Sequence, residues 1–256
     1  MDFEYFDPQA EHDFHGLKTL LRQLFDVDNQ LFDLSALADL ILSQPLLGST
    51  VKCDGNESDP YAFLTVLNLH QHREKDVIRQ LTKYLHDNAA KSGSLDALNL
   101  PLSNDSKSQV GLILTERFVN MPHATVPPMY KMLLEEMQWA LEEKEPYAFT
   151  HYLIISKTYT EVASQLDNED DRPTKKNKAS KKSEELFYFH PEDEVLHKHA
   201  VAFGSFDYAK QGDEGASDSK RAFQELGVRP QSHLILLEAK NFRDAVKAIE
   251  EYLGSG

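Results

Sequence analysis

A single cysteine, Cys53, is all the chain offers for thiol chemistry. No internal disulfide can form, and a lone thiol suits a reducing compartment such as the cytosol or nucleus. There is no run of eighteen apolar residues, and the opening Met1-Asp2-Phe3-Glu4 lacks the basic and apolar regions of a signal peptide. The expectation is a protein that neither spans a membrane nor is secreted by that route. Catalytic signatures are missing as well: no P-loop, no G-x-G-x-x-G opening a helix, no G-x-S-x-G elbow, no H-E-x-x-H and no C-x-x-C.

Positive charge is scarce, with 27 lysines and arginines against 42 acids and a net charge of −15. It is also unevenly placed. Arg172, Lys175, Lys176, Lys178, Lys181 and Lys182 fall within residues 172–182 with no acid among them, which leaves the rest of the chain at −21. A body of that sign lacks the basic footprint that phosphates need, so direct nucleic-acid binding by the folded part is not expected. A basic protein is its natural complement, because such a field speeds encounter with cations and discourages acidic competitors. Solubility alone is the other reading of the same charge.

What is present organises into strands and helices. Residues 3–6 alternate as a strand ended by Asp7-Pro8. A helix follows, with Asp13 placed to cap it and Phe14, Leu17, Leu20, Leu21, Leu24 and Phe25 on one face. A second helix is expected over 33–43. Strands over 47–53 and 61–68, joined by the turn-rich Asp54-Gly55-Asn56-Glu57-Ser58-Asp59-Pro60, are expected to pair as a hairpin. Residues 74–90 are amphipathic through Val77, Ile78, Leu81, Tyr84 and Leu85. A strand over 110–115 precedes a helix over 127–143, whose prolines suit a first turn. Residues 147–159, 186–190, 200–206 and 232–238 have strand composition, and a last helix carries Phe242, Val246, Ile249 and Leu253.

This order predicts one α/β domain over 1–253: a mixed, largely antiparallel central sheet flanked by helices, with helices on both faces. Residues 166–183 interrupt two strands with an acidic and then lysine-rich composition unable to bury apolar surface, and are expected to form a disordered hairpin insertion. Residues 254–256, Gly-Ser-Gly, read as an appended remnant.

Four features are candidates for function. His70-x-His72 and His197-x-His199 have ligand-like spacing on a strand, but without accompanying ligands they read as ordinary surface or packed histidines, and no metal is expected. Cys53, in an apolar stretch, reads as a small inert hydrophobe rather than a nucleophile. Lys175, Lys176, Lys178, Lys181 and Lys182 suit a nuclear import signal or a solvated linker. The fourth is the 127–143 helix. At 100° per residue its inward stripe is Tyr130, Leu134, Met137 and Leu141, widened by Leu133 and Ala140. Trp139 then faces outward beside Met132, among Glu135, Glu136, Glu142 and Glu143. A tryptophan ringed by acids suits an anchor for an apolar and basic partner patch, unless a neighbouring segment covers it.

These residues resemble the BCCIP family over nearly the whole chain. The segments that carry the resemblance are Asp13-Phe14-His15-Gly16-Leu17-Lys18-Thr19-Leu20-Leu21-Arg22-Gln23-Leu24-Phe25, Val110-Gly111-Leu112-Ile113-Leu114-Thr115-Glu116-Arg117-Phe118-Val119-Asn120-Met121-Pro122, Pro128-Met129-Tyr130 and Tyr152-Leu153-Ile154-Ile155-Ser156-Lys157-Thr158, followed by the lysine-rich insertion. The resemblance implies a fold like that of the GCN5-related acetyltransferases without the activity and without a cofactor. Those enzymes grip a pyrophosphate with a [Q/R]-x-x-G-x-[G/A] loop at a helix N-terminus. No such loop follows a strand here, and Glu116 is expected to repel phosphates. Family members carry an acidic leader before the first strand, and its absence is expected to reflect a trimmed or divergent N-terminus.

The implied function is a non-enzymatic chaperone for a basic large-subunit ribosomal protein (protein fourteen, twenty-three in older yeast naming). It would act as a monomer shuttling between nucleus and cytoplasm during 60S assembly. Two alternatives stay open. One is an adaptor for nuclear export of a phosphatidylinositol 4-phosphate 5-kinase, or for cell-cycle and DNA-repair partners and transport factors. The other is a degenerate acetyltransferase with residual acetyl-coenzyme A binding.

Overall fold

The computed structural model describes residues 2–44, 47–103, 106–161, 186–209 and 228–254. Eight strands form one mixed sheet in the order β1-β2-β3-β4-β5-β8-β7, with β6 pairing to β5 beside this path. The strands are β1 (Glu4–Phe6), β2 (Ser49–Lys52), β3 (Ala62–Asn68), β4 (Val110–Arg117), β5 (His151–Glu161), β6 (Leu186–Tyr188), β7 (Ala202–Phe206) and β8 (Val228–Glu238). Among the described residues only β4 and β5 run parallel. All other pairings are antiparallel, as the largely antiparallel expectation requires. The β2–β3 hairpin forms with Val51 opposite Ala62.

The helices are α1 (Ala10–Phe25), α2 (Leu34–Leu42), α3 (Asp76–Ala89), the single turn α4 (Asn99–Leu102), α5 (Val126–Glu142), α6 (Glu192–His197) and α7 (Ala239–Leu253). They pack on both faces because the central strands are apolar on both. Phe63, Leu67, Leu112, Leu114, Leu153, Ile155, Leu234 and Leu236 point toward α1, α2 and α3. The alternate residues Leu64, Val66, Ile113, Ile154, Ile235 and Leu237 point toward α5, α6 and α7. Each fully buried Leu or Ile contributes about 1.5–3 kcal/mol of transfer free energy, so both faces are committed to core.

Three sequence expectations shift. Helix α1 starts at Ala10, with Gln9 in the capping position. Asp13 therefore lies inside the first turn and reaches back to accept from the Gln9 N–H at 2.7 Å. It is also wholly buried against Lys52 Nζ at 2.6 Å, which ties α1 to β2. Asp33 does cap α2, accepting from the Ser35 and Ala36 N–H groups. Strand β5 begins only at His151, and Tyr147 and Phe149 before it pack in the core with Tyr152 as an aromatic row. Conversely β8 starts at Val228, four residues before the apolar run, because Val228, Arg229, Pro230 and Gln231 pair with the far end of β5.

Candidate partner-binding face and buried charge cluster

Helix α5 bridges the parallel pair β4 and β5. Its buried face is Val126, Met129, Tyr130, Leu133, Glu136, Met137 and Ala140. That stripe is centred nearer Leu133 than the periodicity predicts, so Leu141, expected inward, is exposed. Glu136, expected outward, is instead 8% exposed. Its Oε2 accepts from the Gly48 N–H at 2.7 Å. Gly48 has φ +99, and a Cβ there would lie 2.5 Å from the Leu64 carbonyl, so only glycine presents its amide this way. Burial pushes the Glu136 carboxyl up to about 7, with the Gly48 N–H opposing the rise.

The other residues of the predicted face are divided as the geometry dictates. Trp139 is 62% exposed. Glu135, Glu142 and Glu143 are exposed with it, and Met132 is half-buried beside the stripe. Gln138 donates to Glu142 at 3.3 Å across one helical turn. No hydrogen bond or ring contact of the Trp139 side chain occurs among the described residues. The face thus offers one large aromatic side chain and three carboxylates, Glu136 having been withdrawn into the core.

A second concentration of charge lies inside the molecule, and the apolar periodicity gave no sign of it. Pairing of β4 with β5 stops at Leu114 opposite Ile155. Beyond that point Thr115, Glu116 and Arg117 stay with β3, while Thr158, Tyr159 and Thr160 of β5 pair with β6 on the side that β4 has left. The chain after β6 then turns into α6, whose Glu192 and Asp193 are 1% and 2% exposed. Where the two strands part, Glu116 meets Lys157 at 2.6 Å and His190 Nε2 at 3.2 Å. Arg117 grips Glu192 through both guanidinium ends, at 2.5 and 3.0 Å. Ser156 donates to Asp193 at 2.5 Å.

The cluster settles its own charges. Burial alone would raise Glu116, but Lys157 and then His190 outweigh it and hold the carboxyl at about 2. Glu192 is likewise held down against burial by Arg117. Asp193 goes the other way: burial, with the adjacent Glu192 adding to it and His190 opposing, lifts it to about 7. Above the cluster the Tyr130 hydroxyl is fully buried without a hydrogen-bond partner among the described residues. Glu116 is ionised but buried and paired with Lys157, so its charge is answered inside the molecule and does not face a ligand. Helix α5 has Pro127 and Pro128 in its first turn, which removes two of the free N–H groups that an anion would use.

The remaining candidates resolve as follows. His197 belongs to α6, not a strand, and its Nε2 lies 2.7 Å from His233 Nε2 rather than beside His199. Tyr188 at 3.2 Å and Ser205 at 2.8 Å occupy the other ring nitrogens, completing a hydrogen-bonded chain. Burial lowers His197 to about 4 and His233 to about 3, so both rings are neutral at pH 7. His70 and His72 follow β3 in a turn. No group of three or more His, Cys, Asp or Glu among the described residues could hold a metal ion. Cys53 is half-buried and its thiol is pushed up chiefly by burial. Lys175, Lys176, Lys178, Lys181 and Lys182, and the whole insertion 166–183, lie outside the described residues.

Fold and site together define a mixed α/β sheet protein whose one parallel pair parts and is closed by the protein's own β6 and α6. A model of the BCCIP family matches residues 1–196. The chain is 60% identical over 253 residues to the protein named bcp1 of Aspergillus fumigatus, across 99% of this chain and 87% of that protein. It is 52% identical over 255 residues to bcp1 of Schizosaccharomyces pombe, across 98% and 89% respectively. The crystal structure of BCP1 from Saccharomyces cerevisiae matches with a TM-score of 0.67 at 29% identity, covering 98% of this chain and 87% of that one. The chain belongs to the BCCIP family.

Proposed function

We propose that the chain is a non-enzymatic chaperone that shields the cationic surface of a basic large-subunit ribosomal protein until ribosomal RNA replaces it, with the 175–182 lysines serving nuclear import. The observation that carries this reading is Trp139, 62% exposed on the outer face of α5 among Glu135, Glu142 and Glu143, on a chain of net charge −15. Exposed ion pairs are individually weak, about 0–1 kcal/mol. Affinity is therefore assigned to the apolar anchor, and encounter rate and salt sensitivity to the acidic field.

An acetyltransferase-like frame without acetyltransfer fits the same picture. The parting of β4 and β5 is filled by paired charges, Glu116, Arg117 and Lys157 of the two strands with His190 and the α6 residue Glu192, and the helix end that would face a pyrophosphate is short of amides. Two measurements test the proposal. Association of the purified ribosomal protein should slow steeply between low and high salt, and equal rates would remove the electrostatic part. Calorimetry with acetyl-coenzyme A should show no saturable heat, and micromolar binding would restore the enzyme reading.

A further inference from the structure

Beside the buried charge cluster, α1, the β2–β3 turn and Phe118 at the end of β4 line an open cleft of about 390 Å³. Its walls include His15 and Thr19, Asp54 and Asp59 from the turn, and Tyr61 and Phe118. Tyr61 and Phe118 meet edge to face, 5.9 Å between ring centroids, and both are half-buried. Val119, next to Phe118, is 89% exposed, more than any other large apolar residue described. The sheet's core makes no use of it.

The cleft is a fixed shape. A Cβ on Gly16 would lie 2.4 Å from Pro60 Cδ, so α1 and the turn are in closest possible contact. Phe118 N–H donates to the Tyr61 carbonyl at 3.0 Å. Lys52, buried against Asp13, also bonds the Asn56 carbonyl and so pins the turn from beneath. Within this frame Asp54 and Asp59 are exposed, and neither carboxylate forms an ion pair or hydrogen bond among the described residues. No lysine or arginine lines the cleft. The side chain whose chemistry complements an aromatic wall and two unanswered carboxylates is a guanidinium: planar, weakly hydrated, able to stack on a ring and to bond carboxylates with its edge.

We infer that this cleft docks an arginine side chain of a basic protein partner, with Val119 seating an apolar neighbour of that arginine. The identity of the partner rests on the chaperone reading, whereas the chemistry of the cleft does not. Preorganisation favours it, because the walls need not move to admit a side chain.

The test is an NMR titration of the ¹⁵N-labelled full chain with the acetylated and amidated tripeptide Gly-Arg-Gly, and with the same tripeptide carrying neutral citrulline in place of arginine. The arginine peptide should shift the amides of Thr19, Ser58, Tyr61, Phe118 and Val119, and citrulline should shift them at least severalfold less. In Asp54→Asn/Asp59→Asn, whose exposed positions leave the fold intact, the arginine shifts should largely vanish. Equal shifts with citrulline, or arginine shifts that avoid these residues, overturn the assignment. The double variant should also bind the basic ribosomal protein roughly five- to tenfold more weakly, as expected for losing charge-assisted bonds to one exposed cation. Unchanged binding overturns the use of the cleft by that client. If the wild-type chain failed to bind the ribosomal protein at all, the chaperone reading would fall, and the tripeptide titration would still decide the cleft.

Discussion

The two halves of the β4–β5 pair are built on opposite principles. In the paired half, Leu112, Ile113 and Leu114 face Leu153, Ile154 and Ile155, and every side chain is buried in one of the two apolar cores. In the parted half, Glu116, Arg117, Ser156 and Lys157 are also buried but meet charged or polar partners: Glu116 and Lys157 each other, Arg117 and Ser156 the α6 residues Glu192 and Asp193. The first half is held by area and shape, which tolerate modest repacking. The second is held by matched charge, which tolerates replacement of both partners far better than loss of one. Closing a sheet with an ion pair fixes which segment closes it, since an apolar segment in place of α6 would leave Arg117 without Glu192.

The contrast can be broken most severely at the ion pair. Arg117→Ala, which leaves Glu192 buried and alone, should destabilise by roughly 3–5 kcal/mol in urea unfolding, whereas Arg117→Met/Glu192→Leu should cost much less than either single change. A double variant as damaged as the single one would show that shape, not charge, governs this half. In the paired half, Leu153→Ala should cost about 2–5 kcal/mol by transfer and cavity terms. Its partner substitution Leu112→Ala should not rescue it.

A smaller effect sharpens the account through pH. An acid whose carboxyl is raised in the fold binds its proton more tightly there than in the unfolded chain. Stability contributed by Asp193, lifted to about 7, is therefore present at low pH and lost as pH rises from its ordinary value near 4 toward 7. Glu116, held at about 2, contributes the opposite: stability present above its ordinary value and lost as pH falls toward 2. In Asp193→Asn the slope of unfolding free energy against pH between 4 and 7 should become more positive than in wild type, and an unchanged slope would remove Asp193 from the balance. The smallest effect belongs to the outer face of α5. Trp139→Ala should change stability by no more than about 0.5 kcal/mol, while weakening the ribosomal-protein complex at least tenfold, as truncating a central aromatic anchor does.

Much of the frame was legible because apolar alternation and helical spacing report burial. The β2–β3 hairpin, β4 and α3 fall within a residue or two of where Leu64, Val66, Ile113 and Leu81 place them, and α7 buries Phe242, Val246 and Ile249 of the expected face. What escaped was burial by polar residues. Helix α6 was missed because its inward side begins with Glu192 and Asp193, whose burial is compensated by Arg117 and Ser156 from distant strands. Pro191 ahead of three acids was the available signal, a first-turn pattern for a helix start. Glu136 was misplaced for the same reason, its partner Gly48 being 88 residues away. His197 has the spacing of a pair with His199, while its partner in the fold is His233 of β8, 36 residues away in sequence. The exposed Trp139 was legible from helical geometry alone.

Because Trp139 is the chain's single tryptophan, its fluorescence reports directly on the proposed contact. Emission should be that of a water-exposed indole in the free protein and should shift to the blue, saturably and at one-to-one stoichiometry, on titration with the basic ribosomal protein, after subtraction of the same titration on Trp139→Phe. A complex that forms while the Trp139 emission stays unmoved would contradict the account.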